Sequence, residues 1–92
     1  MIAWQVTIRG RVHGVGYRDA MVDAANALGL LGWVRNRREG TVEAWVQGDA
    51  AAVARLLSWC RRGPAPAQVT AIATLEVDPD PALDTFARRM TA

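Results

Sequence analysis

Apolar and polar residues alternate along Trp4-Gln5-Val6-Thr7-Ile8-Arg9, which predicts a strand with Trp4, Val6 and Ile8 on one face. The period then changes. Tyr17, Ala20, Met21, Ala24, Ala25 and Leu28 recur at the spacing of one helical face, in a helix beginning near Asp19 and ended by Gly29. Leu31 to Asn36 reads as a second strand and Thr41 to Gln47 as a third. Arg37-Arg38-Glu39-Gly40 forms the tight turn between them. A second helix follows, with Asp49 as N-cap and an apolar stripe of Val53, Leu56, Leu57 and Cys60. Gly63-Pro64 stops it. Val69 to Val77 reads as a fourth strand, and Thr85 to Met90 as a short last strand at an edge.

The order is β-α-β-β-α-β with an added fifth strand. It predicts an α+β fold, the ferredoxin-like sandwich, with a mainly antiparallel sheet and two helices on one face. Trp45 falls on the other, more open face. At 92 residues the chain has room for one core, so residues 1–92 are expected to form one domain.

One junction stands out. Gly10-Arg11-Val12-His13-Gly14-Val15-Gly16-Tyr17-Arg18 carries three glycines and two arginines where the first strand gives way to the first helix. Glycine permits positive φ and close approach of the backbone to a ligand. The first N–H groups of a helix lack internal partners, and the helix dipole is positive there. Such a junction suits a phosphate or a carboxylate, and Arg18 adds a planar fork of donors. In the expected topology the first two strands are parallel, with another strand between them. Their C-terminal ends therefore share one sheet edge. That brings Asn36, at the end of the second strand, to the same edge as the Arg11–Arg18 loop.

Composition narrows the chemistry. The chain is 51% hydrophobic and 22% charged, as expected of a folded globular protein. Its net charge of +2 gives no argument for nucleic acid. All eleven basic residues are arginine. With no lysine, a phosphate loop of the Gly-x-x-x-x-Gly-Lys type and a Schiff-base lysine are both excluded. One histidine and one cysteine exclude a His/Cys zinc centre. Cys60 lies in an apolar stripe and reads as a small core residue. No apolar run is long enough to span a membrane, and no secretory signal is visible at the N-terminus, so a cytoplasmic protein is expected.

The Gly10–Arg18 stretch resembles the first signature of the acylphosphatases. Gly32-Trp33-Val34-Arg35-Asn36, followed by Glu39-Gly40-Thr41-Val42-Glu43, resembles the second, and Phe86-Ala87-Arg88 is similar to the family's last strand. His13 stands where glutamine is frequent in that family, and Glu39 where aspartate is frequent. The resemblance implies a hydrolase that cleaves acyl phosphates to a carboxylate and inorganic phosphate, without metal or cofactor. It implies that Arg18 binds the substrate phosphate, with the loop residues Arg11, Val12, His13, Gly14, Val15, Gly16 and Tyr17 supplying amides. It also implies that Asn36 orients the attacking water. A small-molecule acyl phosphate is then the expected partner of a monomer, with no nucleic acid and no membrane.

Each residue also has a plainer reading. Arg18 could be a solvated surface charge, Asn36 a turn former, His13 an ordinary loop residue, and Trp33 and Trp45 packing residues. Two rival functions remain on the sequence. One is a phosphate- or RNA-binding module, although no aromatic RNA-binding strand signature is found. The other is a regulatory domain that binds acyl phosphates without fast turnover, against which the presence of both Arg18 and Asn36 argues.

Overall fold

A computed structural model describes residues 1–92. The chain runs β1 (Ile2–Arg11), α1 (Tyr17–Ala27), β2 (Leu31–Asn36), β3 (Val42–Gly48), α2 (Ala50–Arg62), β4 (Gln68–Val77) and β5 (Phe86–Arg88). The sheet order is β4-β1-β3-β2-β5. β3 is antiparallel to both β1 and β2, which makes β1 and β2 parallel. β4 closes one edge antiparallel to β1, and β5 closes the other parallel to β2. This is the expected sandwich, with its fifth strand at the expected edge.

Some boundaries differ from the sequence expectation. β1 is longer at both ends than the alternating run Trp4–Arg9, because β3 and β4 supply ladder partners there: Ile2 faces Gly48, and Arg11 faces Gln68. α1 begins at Tyr17 rather than near Asp19, because Gly16 at φ 76° already turns the backbone into the helix. β5 is shorter than expected, yet the chain still follows β2. The Arg89 N–H donates to the Val34 carbonyl at 2.8 Å, and the Ala92 N–H to the Asn36 carbonyl at 3.0 Å. Asp49 caps α2 as expected, accepting from the Ala51 and Ala52 amides at 3.1 and 3.3 Å.

The core lies between the sheet and the helices. Val6 and Ile8 of β1, Val34 of β2, and Val42, Ala44 and Val46 of β3 meet Tyr17, Met21 and Ala25 of α1 and Val53, Leu56 and Cys60 of α2. Period two on the strands and period 3.6 on the helices place these residues together. Two glycines let backbones come close enough to do this. A Cβ on Gly32 would collide with the Trp45 carbonyl, and one on Gly10 with the Gln68 carbonyl. Gly10 also sits where the β1–β4 register shifts, so the strand can bend into its loop.

The face away from the helices is not bare. Trp45 lies opposite Trp33 across β3 and β2, and its Nε1 donates to Gln47 Oε1 at 2.9 Å. The Trp33 ring carries the guanidiniums of Arg35 and Arg89, each 4.8 Å from its centroid. The Arg35 Nε also pairs with Glu43 at 2.7 Å.

Tyr17 ties the two helices together. Its hydroxyl donates to the Cys60 carbonyl at 2.7 Å, in the last turn of α2, where helical carbonyls lack internal partners. Its ring meets Trp59 at 5.4 Å between centroids. Tyr17→Phe should therefore cost about 1–3 kcal/mol in urea denaturation, the cost of leaving a buried acceptor unpaired. An unchanged midpoint would refute this. Burial pushes the Cys60 thiol up to about 12. At about pH 8 the native thiol should resist a disulfide reagent until urea unfolds the chain; labelling of the native protein at the rate of a free thiol would contradict it.

Candidate active site

The loop from Val12 to Gly16 joins β1 to α1. Gly14 and Gly16 adopt φ 69° and 76°, and a Cβ on either would meet nothing within 4 Å. Their backbone conformation, rather than crowding, favours glycine here. Gly16 is the N-cap of α1 and can offer no side-chain cap. Its carbonyl accepts the first helical bond, from the Ala20 amide at 3.1 Å. The earlier amides of the first turn are left without helical partners. The loop's apolar side chains face inward. Val12 is buried, Val15 packs on the core, and Tyr17 reaches Cys60. Val12 and Tyr17 therefore present backbone to the loop's outer side, and Val15 does so in part. Burial, with the neighbouring Cys60, raises the Tyr17 phenol well above its ordinary range, so Tyr17 stays neutral and unavailable as a base.

Arg18 follows on the first turn of α1, half-buried, with no ion pair or side-chain hydrogen bond of its own. It lines an open cleft of about 490 Å³ together with Arg88, Arg89, Met90 and Thr91. Arg11 is exposed at the end of β1.

Asn36 ends β2. It is only 8% exposed, and its Oδ1 is buried without a hydrogen-bond partner. Most buried polar atoms in folded proteins are satisfied, so an orphaned acceptor calls for a reason. The wall of the Arg18 cleft leads to it. Arg88 lies beside Val34 in the β5–β2 ladder, and the segment beyond is bonded to Val34 and Asn36.

His13 joins the two parts of the site. Its Nε2 lies 2.7 Å from the Thr41 carbonyl. A carbonyl only accepts, so Nε2 carries the proton in this contact. The same carbonyl accepts from the Arg37 amide at 2.8 Å. Thr41 Oγ1 donates to Glu39 Oε1 at 3.0 Å. His13 thus binds the β1–α1 loop to the turn that directly follows Asn36.

The topology therefore places the residues singled out in the sequence at one sheet edge. Sequence reasoning missed the His13 tether and the cleft wall of Arg88, Arg89, Met90 and Thr91. The paired arginines next to an edge strand were the available signal for that wall. No group of three His, Cys, Asp or Glu side chains is placed to hold a metal ion. The arrangement can hold an oxyanion against Arg18 and free amides, with Asn36 at the end of β2 nearby.

Comparison with known proteins supplies the family. The acylphosphatase family model matches residues 4–88. The chain is 54% identical over 91 residues to an acylphosphatase of Acidiphilium cryptum, covering 99% of each. The fold superimposes on the crystal structure of acylphosphatase from Bacillus subtilis with a TM-score of 0.92 at 29% identity, over 97% of this chain and 99% of that one. An acylphosphatase structure from Coxiella burnetii gives 0.88 at 31% identity, over 96% and 92% of the two chains. This chain belongs to the acylphosphatase family, enzymes that hydrolyse acyl phosphates.

Proposed function

We propose that Arg18 and the free amides of the Val12–Arg18 loop bind the phosphoryl group, and that Asn36 orients the water that attacks it. The observation that carries this reading is the buried, unpartnered Oδ1 of Asn36. Asn36 lies outside the cleft's lining, next to the segment that walls it, so its side chain must turn to offer this oxygen to a water there. A water that donates one hydrogen to this oxygen has a lone pair free to point toward a phosphorus held at Arg18.

The chemistry asks little more of the protein. Water attacks phosphorus, and the bond between phosphorus and the bridging oxygen breaks. Its electron pair leaves with the carboxylate. Carboxylates are weak bases, with an ordinary pKa of about 4, so this leaving group needs no general acid. The neutral amide of Asn36 is no base, so a non-bridging phosphoryl oxygen takes the proton from the incoming water. The products are a carboxylate and dihydrogen phosphate, and both charge and atoms balance. What remains is to gather charge on the equatorial oxygens and hold water in line, which is how proteins accelerate phosphoryl transfer. Arg18 and the amides perform the first task, so this reading requires no metal. Fixed donors cost no reorganisation as charge develops.

Arg18 and Asn36 come from one chain, which suits action as a monomer on a small acyl phosphate. The single buried thiol of Cys60 is compatible with a reducing compartment such as the cytoplasm. Nucleic acid has no part in this reading, which needs only Arg18, the loop amides and Asn36.

Hydrolysis of benzoyl phosphate, followed by ultraviolet absorbance with a chelator present, tests the reading. Wild type should turn over at the same rate with and without chelator. Arg18→Ala should lose at least one charge-assisted contact of about 1.5–3 kcal/mol, and so about 10–100-fold in kcat/KM. Near-normal turnover by that variant would refute the role of Arg18. Asn36→Ala should lower kcat by about 10²–10³, the loss typical of one positioned polar group, while inorganic phosphate still inhibits at the wild-type concentration. Loss of phosphate inhibition with kcat intact would instead make Asn36 a phosphate ligand.

A further inference from the structure

The cleft beside Arg18 offers more than a phosphoryl group requires. At about 490 Å³ it falls in the range of pockets that take up whole small molecules. Three of its five lining residues are arginines, and none is acidic. These arginines are not equivalent. The Arg89 guanidinium lies over the Trp33 ring, on the sheet face away from the helices. Arg88 follows Phe86 by two residues in β5. Because side chains alternate along a strand, both point to the helix side. Phe86 joins the core there, and the Arg88 Nη1 reaches Asp19 Oδ1 on α1 at 2.8 Å. Asp19 is the neighbour of Arg18, so the second cation stands at the rim of the first one's cleft.

The pair between Arg88 and Asp19 is weakly held. The two side chains are 47% and 71% exposed, and ion pairs in water at such exposure stabilise little. Asp19 engages one guanidinium nitrogen, whereas an arginine presents five N–H donors in a rigid fork. The contact shows Arg88 holding a carboxylate, here from a residue outside the cleft's lining. The remaining wall, Met90 and Thr91, is one apolar side chain and one hydroxyl.

We propose that Arg88 forms a second anion subsite, which binds a carboxylate at the far end of the substrate's acyl chain. The preferred substrates are then acyl phosphates of dicarboxylic acids, with the phosphoryl group at Arg18 and the distal carboxylate at Arg88. This rests on the phosphoryl placement proposed above and adds a specificity determinant to it. The reaction is unchanged: water cleaves the same phosphorus–oxygen bond, and the distal carboxylate takes no part in the chemistry.

Succinyl phosphate and butyryl phosphate make a matched pair of probes, similar in length and differing in a terminal carboxylate or methyl group. Wild type should show the higher kcat/KM for succinyl phosphate, with a preference that shrinks as salt is added. Arg88→Gln should reduce the succinyl-to-butyryl ratio about fivefold, the upper range for a solvent-exposed ion pair. Asp19→Asn leaves Arg88 charged and removes its competitor, so it should keep or raise the ratio. Equal kcat/KM for the two probes in wild type would overturn the subsite. An unchanged ratio in Arg88→Gln, with or without an equal loss on both probes, would do the same. Failure of folded wild type to hydrolyse either probe would instead remove the phosphoryl reading, and the subsite with it.

Discussion

The insertion of β3 between β1 and β2 governs the geometry of this molecule. Antiparallel pairing on both of its sides forces β1 and β2 to run the same way. Their C-terminal ends then emerge at one edge of the sheet. α1 starts from that edge as well, because it must return along the sheet before β2 can begin. A helix N-terminus, a glycine-bearing loop and the last residue of β2 are thus brought together by chain topology. Close packing makes the arrangement tight. Gly32 lets β2 approach the Trp45 carbonyl of β3, and Gly10 lets β1 bend beside β4.

Within that frame the loop divides its labour between side chains and backbone. The side chains of Val12, Val15 and Tyr17 are anchored in or against the core. The backbone is left facing outward, held by residues that cannot easily move. His13 fixes the loop to the turn after Asn36 through the Thr41 carbonyl. Fixed donors are what electrostatic stabilisation of a transferring phosphoryl group needs. The opposite side of this economy is visible at Arg18 and Asn36. One is a half-buried cation with no partner, and the other has an orphaned buried acceptor. In the proposed reading a bound oxyanion and an oriented water satisfy both.

Much of this was legible in the chain itself. The change of period from two to 3.6 and back gave the element order. Asp49 and Gly63 marked the ends of α2, and the glycine-rich junction pointed to Arg18 and the loop. Asn36 followed from topology, since a split β-α-β unit aligns the two strand ends. What escaped were features set by distant neighbours. The ends of β1 depend on ladder partners in β3 and β4, which no local pattern specifies. The contact between Arg88 and Asp19 spans 69 residues, and that between His13 and Thr41 spans 28. Both look like solvated polar residues until the strands are assembled. α1 starts two residues before Asp19 because Gly16 caps the helix through its conformation, with no side-chain signal of the usual kind.

If Asn36 holds the attacking water, that water reaches phosphorus and not the acyl carbon. Single-turnover hydrolysis of benzoyl phosphate in heavy-oxygen water, with mass analysis of both products, tests it most directly. One labelled oxygen is expected in the inorganic phosphate and none in the benzoate. Label in the benzoate would mean attack at the carbonyl, and would contradict the roles given to Arg18, the loop amides and Asn36 together.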